Sequence, residues 1–429
     1  MSNYKAIIAT IKSVEPIPNA DRIQIAKVMG ENCIVSKDWE VGMMGVFFPA
    51  GCQLSEKYCE FNNLYRNSKK NTDNTKQGFF EDNRRVRAQP FLKVRSEGFF
   101  AGLESLSFAT DISKLKEGQS FEDIDGVNIC KKFLIQVKTP NSQKKAIKKK
   151  AVPDFEQHVD TAQFKYAERQ LEEGDLISIQ AKVHGTSARY GYHLVTPPLS
   201  KWKSKINSLL PWNVFKNKAK YEYVAGTRRV ILDSPAKEGF HGSEQYRFDV
   251  LETLKPFLEK GMTVYGEIAG YANGKPIMSN HSTKDLKDKK ITKKYGENIT
   301  YSYNCKEHEH RFHVYRITFT TVDGNTIDFT QQQLVDWCAN RNIKFAMDVC
   351  TPFIYNGNWE ELSAKVESLT ERPDVLGEDY IDPSHPSEGV IVRVDRGTLT
   401  PLFLKSKSYI FKVMEGIASE KTIDIEDVS

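Results

Sequence analysis

The residues best equipped for chemistry begin at Lys182-Val183-His184-Gly185-Thr186-Ser187, directly after the β-rich run Leu176-Ile177-Ser178-Ile179-Gln180. A lysine at a strand end, followed by a turn that glycine permits, can present its amine at the lip of a pocket. Such an amine is a nucleophile once deprotonated, and nearby positive charge favours that loss. Four later segments carry partners. Arg228-Arg229 lead into Val230-Ile231-Leu232, and Val264-Tyr265-Gly266-Glu267-Ile268 ends a strand on a carboxylate. His313-Val314-Tyr315-Arg316-Ile317 sets an aromatic ring within a strand. Ser387-Glu388-Gly389-Val390-Ile391-Val392-Arg393 precedes Leu404-Lys405-Ser406-Lys407, where a period of two puts Lys405 and Lys407 on one face. Singly, each has an ordinary reading, because K-x-x-G is common and a strand tyrosine is usually half-buried core. Their order along one chain makes them a set.

These residues need strands to hold them. Residues 176–182, 230–232, 263–268, 313–319, 389–394 and 402–405 read as strands, whereas 331–339 and 359–369 show the three- and four-residue apolar spacing of helices. Upstream, 6–11, 23–28, 33–36 and 46–49 are short strands around the turn Pro16-Ile17-Pro18-Asn19-Ala20-Asp21, a spacing that suits a small barrel. Residues 85–88 and 91–94 are expected as further strands, and the polar stretch 67–78 as a mobile loop. The chain then turns lysine-rich, with Pro140, Asn141 and Ser142. The expected division is a first domain over 1–130, a basic linker over 131–154, a second domain over 155–416 and an acidic tail over 417–429.

A length of 429 residues predicts two or three domains, and a hydrophobic fraction of 39% suffices for globular cores. No apolar run approaches the ~20 residues of a membrane span, and the N-terminus lacks the apolar stretch of a secretory signal. Seven cysteines without a CxxC pair fit reduced thiols. An intracellular protein, not secreted and possibly virus-encoded, is the expectation. The net charge of +5 is too mild to name a partner. Its distribution says more: Lys144, Lys145, Lys148, Lys149 and Lys150 form one run, and residues 201–220 hold six lysines and no acid. Such runs suit phosphate, although solvated loops have the same composition.

The ordered set resembles motifs I, Ia, III, IIIa, IV and V of the covalent nucleotidyltransferases, and K-V-H-G-T-S is similar to the RNA-ligase branch rather than to the K-x-D-G-x-R of DNA ligases. Pro16 through Ile23, then Val41-Gly42 and Val46-Phe47-Phe48, resemble the OB-fold module that precedes the ligase domain in Deinococcus-type nick-sealing RNA ligases. The resemblance covers roughly residues 4–415. It implies an α+β protein, with an N-terminal OB-like β-barrel followed by a nucleotidyltransferase domain of antiparallel sheets and flanking helices. It also implies ATP and Mg2+ or Mn2+ as cofactors and RNA as partner, as a nicked duplex or an RNA/DNA hybrid, with the enzyme a monomer. Lys182 would accept AMP, Glu388 would hold metal, Glu267 would contact ribose and Tyr315 would stack on adenine. Lys405 and Lys407 would touch the AMP phosphate, His184 would position pyrophosphate or metal-bound groups, and Arg228 or Arg229 would reach the 5′-phosphate or the nucleotide. On the first domain, Arg84, Arg85, Arg87, Lys93 and Arg95 would offer phosphates a face.

The chain departs from the pattern in two places. Ala181 stands where many RNA-ligase relatives carry a carboxylate facing the base, which bears on the choice of adenine over guanine. Residues 191–225 are long and basic, with Trp202 and Trp212 expected to pack on the domain as part of an amphipathic insertion, stacking on bases being the alternative. Cys305, His308, His310 and His313 have a spacing that could hold zinc, but a strand–loop–strand with incidental histidines is preferred. A DNA ligase, a GTP-using capping enzyme and a non-catalytic RNA-binding scaffold are the competing functions.

Overall fold

The computed structural model describes residues 4–91, 94–133, 152–197, 199, 201–209, 212, 215–235, 243–284, 286, 289–371 and 382–418. Lys93, the lysine run at 144–150 and most of the acidic tail lie outside the described residues. The protein is α+β and its sheets are largely antiparallel.

In the first domain Ala6–Thr10 pairs with Met44–Pro49, flanked by Ser120–Phe121 and Gly98–Gly102, while Ser13–Pro16, Ile23–Val28 and Glu31–Ser36 form a meander. Alternation along the strands sorts their side chains. Ile8, Val46 and Phe48 join one cluster around Tyr58 and Leu54, whereas Ala9 and Phe47 join another with Val28, Val35 and Phe100. This sheet is therefore covered on both faces. Residues 85–88 do not make the expected strand. Val86 exchanges backbone hydrogen bonds with Gly51 and Cys52, but Arg85 and Ala88 make only isolated bridges, to Gln53 and Ala418; a hairpin of Gln89–Phe91 and Val94–Ser96 follows. The 67–78 stretch is braced rather than loose. Buried Asn71 accepts the Tyr65 N–H at 3.0 Å and donates to the carbonyls of Tyr65 and Lys76.

Beside a small two-stranded sheet, His281–Ser282 with Asn298–Ile299, the second domain is built on two large sheets. One orders Ala162–Gln163, Leu402–Lys407, Gly389–Asp395, Leu176–Ala181 and Phe353–Ile354. The other orders Ile231–Leu232, Lys220–Thr227, Thr186–Val195, Met262–Ala272, His310–Thr320 and Thr326–Asp328. Chain connectivity makes residues 182–185 the crossing from the first sheet to the second. The expected helices form as Gln331–Ala339, with a Thr330/Gln333 capping box, and Trp359–Glu371. A helix the sequence reading did not name, Gln245–Leu254, buries Tyr246, Val250, Leu251 and Leu254 against the second sheet.

Two expectations change in the 191–225 segment. Its two ends extend the two long strands, and a short helix, Lys201–Leu209, lies between them. Trp202 and Trp212 are 57% and 68% exposed, so they are not packed on the domain. Apolar spacing alone could not show this, since it marks a face without saying what covers it.

The domains are joined by specific contacts. Lys165 Nζ lies 2.7 Å from Glu31 and 3.5 Å from Glu97 of the first domain. The Arg95 guanidinium sits 3.5 Å over the Tyr409 ring, and the Ala88 N–H donates to the Ile417 carbonyl at 3.1 Å. The strand Cys130–Lys132 pairs with Cys52–Leu54, so first-domain pairing runs to residue 132.

Candidate active site

Lys182 leaves the first sheet with its N–H donating to the Gly389 carbonyl at 2.9 Å. Gly185 then lets the chain enter the second sheet at close quarters, because a Cβ there would sit 2.5 Å from the Ile268 carbonyl oxygen. Gly389 is similarly constrained, at φ +137 with Ser406 O 2.1 Å from a notional Cβ. Antiparallel register brings the rest together. Ala181 faces Val390, Gly389 faces Lys407, Ile391 faces Lys405, and Ser187 faces Glu267. Tyr315 arrives by another device. Tyr265 pairs with Arg316 but Gly266 pairs with Val314, so Tyr315 is the extra residue of a bulge, which re-aims its side chain.

The result is a cavity of about 230 Å³ between the sheets, lined by Lys182, Ser187, Arg228, Glu267, Tyr315, Lys405 and Lys407. Lys182 Nζ is 2.8 Å from Glu388 Oε1, and Lys407 Nζ is 3.2 Å from the same oxygen. His184 Nδ1 stands 3.5 Å from Glu388 Oε2, while its ring packs edge-on against Tyr301 and Phe411 and its N–H donates to Tyr303 Oη at 2.7 Å. Arg228 faces the cavity and pairs with Asp160, whereas Arg229 lies outside the lining. Of the two arginines left open by the sequence, only the first is a lining residue. Arg247, unnoticed in the sequence, donates to Thr186 Oγ1 and the Ser187 carbonyl and steadies the strand start.

Electrostatics follow from burial among these charges. Burial alone would raise Glu388, but the Lys182 and Lys407 ammonium groups hold its carboxyl well below the usual range. Burial pushes Glu267 up to about 7 against the opposing pull of Lys182. Burial, helped by Lys407 and Lys182, brings Lys405 down to about 7. Lys407 goes the other way, because Glu388 and Glu415 outweigh its desolvation. Two lysines one strand period apart are thus electrostatically unlike.

Divalent metal is compatible with these donors. One buried oxygen of Glu267 has no hydrogen-bond partner, and Glu388 Oε2 has the His184 ring at 3.5 Å beside it. Among the described residues no group of three or more His, Cys, Asp or Glu could hold a metal alone, which suits an ion completed by phosphate and water. The same finding leaves Cys305, His308, His310 and His313 without a shared metal centre: His310 packs on Tyr246 and His313 on Tyr303.

Other lining residues carried no sequence signal. His158, Thr161, Gln180, Ala346, Ile391 and Phe403 complete the inner walls, and Tyr4 and Lys132 come from the first domain. His158 meets the Tyr315 ring edge-on at 4.8 Å, and burial beside Arg316 and Arg228 keeps its imidazole neutral, with Nδ1 unpartnered. The first-domain cations do not form one open face. Arg85 stacks on Phe133 at 4.5 Å, Arg95 stacks on Tyr409, and Arg84 pairs with Glu56 at 3.2 Å; Arg87 remains exposed. Arg85 and Arg87 also border a larger cavity, about 360 Å³, lined by Trp39, Phe79, Phe91 and Phe99.

Comparison with known proteins bears on the fold. A family model described as an OB-fold domain matches residues 5–99. No curated protein sequence matches the chain. Among solved structures, Naegleria gruberi RNA ligase with PPi is similar at TM-score 0.59 and 15% identity, over 95% of this chain and 97% of that one. An apo aspartate-to-alanine variant of the same ligase is similar at TM-score 0.60 and 16% identity, over 97% and 99%. A lysine-to-alanine variant with ATP and Mn matches at TM-score 0.59 and 14% identity, over 95% and 97%. At such identities the likeness establishes a shared architecture, an OB fold followed by a two-sheet domain, along nearly the whole chain.

Proposed function

We propose that this protein is an ATP-dependent RNA ligase that seals 3′-hydroxyl/5′-phosphate breaks through a lysyl-AMP. One observation carries the reading: Lys182, at the crossing between two sheets, shares Glu388 with Lys407 in a cavity that also gathers Glu267, Tyr315, Arg228 and Lys405. The fold shared with an RNA ligase solved with ATP and Mn supports it. Lys182 attacks the α-phosphorus of ATP, forming an N–P bond while the bond to pyrophosphate breaks. A 5′-phosphate then takes the AMP as a 5′–5′ anhydride, and a 3′-hydroxyl displaces AMP. Glu388 orients the amine and, through Oε2 beside His184, would hold Mg2+ or Mn2+, which when bound would neutralise phosphate charge. Glu267 faces ribose, Tyr315 stacks on adenine beside His158, Lys405 and Lys407 take the AMP phosphate, Arg228 engages the 5′-phosphate or the nucleotide, and His184 supports Glu388 from behind.

On this reading a first domain over 1–130, whose last strand carries on to Lys132, a linker within 131–154, a catalytic domain over 155–416 and a tail over 417–429 act together on nicked duplex RNA or an RNA/DNA hybrid, as a Deinococcus-type enzyme would. The protein is intracellular and monomeric. Arg85 and Arg87 border the aromatic groove on the first domain that would receive nucleic acid, whereas Arg95 serves domain packing. Incubation with [α-32P]ATP or [α-32P]GTP and divalent metal, then denaturing electrophoresis, tests the reading. Acid-labile label from ATP only, with transfer to a nick bearing a 3′-terminal RNA strand, is expected. Label from GTP points to capping chemistry, sealing of all-DNA nicks alone to a DNA ligase, and no label from folded, unadenylylated protein to an RNA-binding scaffold.

A further inference from the structure

The chemistry above uses side chains of the second domain, yet part of the cavity wall belongs to the first. Tyr4 is buried, and Gly51 leaves room for it: a Cβ at that glycine would lie 2.5 Å from the Tyr4 ring. Lys132 reaches the cavity from a strand whose register sets Lys132 opposite Cys52, and its ammonium rests 5.4 Å from the centre of the Tyr4 ring. Among the described residues it has no carboxylate within ion-pairing distance. It is close enough to Lys405 to be one of the charges acting on it. Unneutralised cations gathered at a cavity mouth constitute an anion site. The Lys165–Glu31 bridge and the Arg95–Tyr409 stack hold this wall in place.

Exposure orders the ligand inside. Phe403 is buried and Tyr315 and His158 are half-buried, an aromatic end that suits a base, while Lys132 is exposed and marks the open end. Lys182 and Lys407 share Glu388 between those ends. We propose that Lys132, seated on Tyr4, is a phosphate-binding residue contributed by the first domain that grips the pyrophosphate end of the nucleoside triphosphate. This rests on the ligase reading. In the forward step the bond from the α-phosphorus to pyrophosphate breaks with its electron pair on pyrophosphate, where Lys132 receives the charge. In reverse, a pyrophosphate oxygen attacks lysyl-AMP, the N–P bond breaks, the amine regains a proton and ATP leaves.

The reverse step isolates this contact. Purified adenylylated protein is titrated with pyrophosphate and metal, and ATP release is measured. Lys132→Ala should raise the pyrophosphate needed for half-maximal reversal roughly tenfold, the value of one charge-assisted contact. Lys132→Arg should recover most of that loss, Tyr4→Phe should behave as wild type and Tyr4→Ala should lose part. Lys131→Ala, one residue away and outside the cavity lining, serves as the control. Sealing of a nick already carrying the 5′–5′ AMP anhydride involves no pyrophosphate, so the Lys132→Ala defect should be confined to the pyrophosphate step. Reversal by Lys132→Ala at wild-type pyrophosphate, or an equal loss in sealing of the preformed anhydride, overturns the proposal. A wild-type protein that takes no label overturns the ligase reading instead.

Discussion

The lysines around Lys182 and the arginines of the first domain are both dense cationic sets, and in the sequence they invite the same use, contact with phosphate. Their surroundings separate them. In the cavity, Lys182 and Lys407 share one carboxylate and Lys405 has been pushed down to about 7 by burial among like charges. The local excess of positive charge remains available to a ligand. In the first domain, Arg85 and Arg95 already lie on Phe133 and Tyr409, and Arg84 on Glu56. A cation with a tertiary partner has less to gain from an incoming phosphate, because binding must first replace that partner.

The sharpest break between the regions is Lys182→Ala, which should abolish the covalent label, since Lys182 is the amine proposed to carry AMP. Lys407→Ala and Lys405→Ala should each slow adenylylation by about 10²–10³-fold, the scale of losing a charge aimed at the reacting phosphate. Single-turnover labelling at saturating ATP measures it; equal losses from Arg85→Ala would erase the contrast. Between the two arginines, Arg228→Ala should cost roughly 10-fold or more in sealing, and Arg229→Ala within about twofold. A reversed ranking would remove Arg228 from the site.

The interface predicts a pH effect on stability. Burial raises Glu31 from 4.5 to about 8, with the Glu97 hydrogen bond adding to it. For Glu97, burial is outweighed by Glu31 and Lys165 and the carboxyl falls to about 2. One proton is held on Glu31 while Glu97 stays ionised. The Glu31 contribution is complete below 4.5 and lost as pH rises through about 8; that of Glu97 is present above 4.5 and lost as pH falls through about 2. Scanning calorimetry should show Tm falling between pH 5 and 8, with a shallower fall in Glu31→Gln. A decline equally steep in the variant would assign it to other groups. The smallest effect separates two neighbours: Arg95→Ala should lower stability by about 1 kcal/mol through its lost ring contact. Arg87→Ala should leave Tm unchanged and reduce the salt slope of RNA binding by about 1.

Local pattern was enough for the strands around the site. The β-rich run before Lys182 and the period of two at Lys405 and Lys407 appear in the structure as read, as do the helices expected at 331–339 and 359–369, the second running on to Glu371. Those features depend on neighbours in the chain. Residues 85–88 show where local reading fails: their composition is that of a strand, yet Arg85 and Ala88 make only isolated bridges, to Gln53 and Ala418. Trp202 and Trp212 fail for another reason: amphipathic spacing does not reveal whether a second surface exists to cover it.

The sequence by itself determined which residue types and local elements are present: a strand-end lysine before a glycine turn, a carboxylate within one strand and another ahead of a second, and paired lysines along a third; the strand expected to end after Glu267 runs on to Ala272. Only the tertiary structure decided which of them meet. Register between strands set Glu267 beside Ser187, a one-residue bulge turned Tyr315 inward, and domain packing brought Tyr4 and Lys132 to the cavity while taking Arg95 away from solvent. The physical reason is that hydrogen-bonding period and backbone preference act over a few residues. Register, burial and charge pairing act between segments far apart in the chain, so one sequence pattern leaves Lys405 facing a ligand cavity and Arg95 resting on a ring.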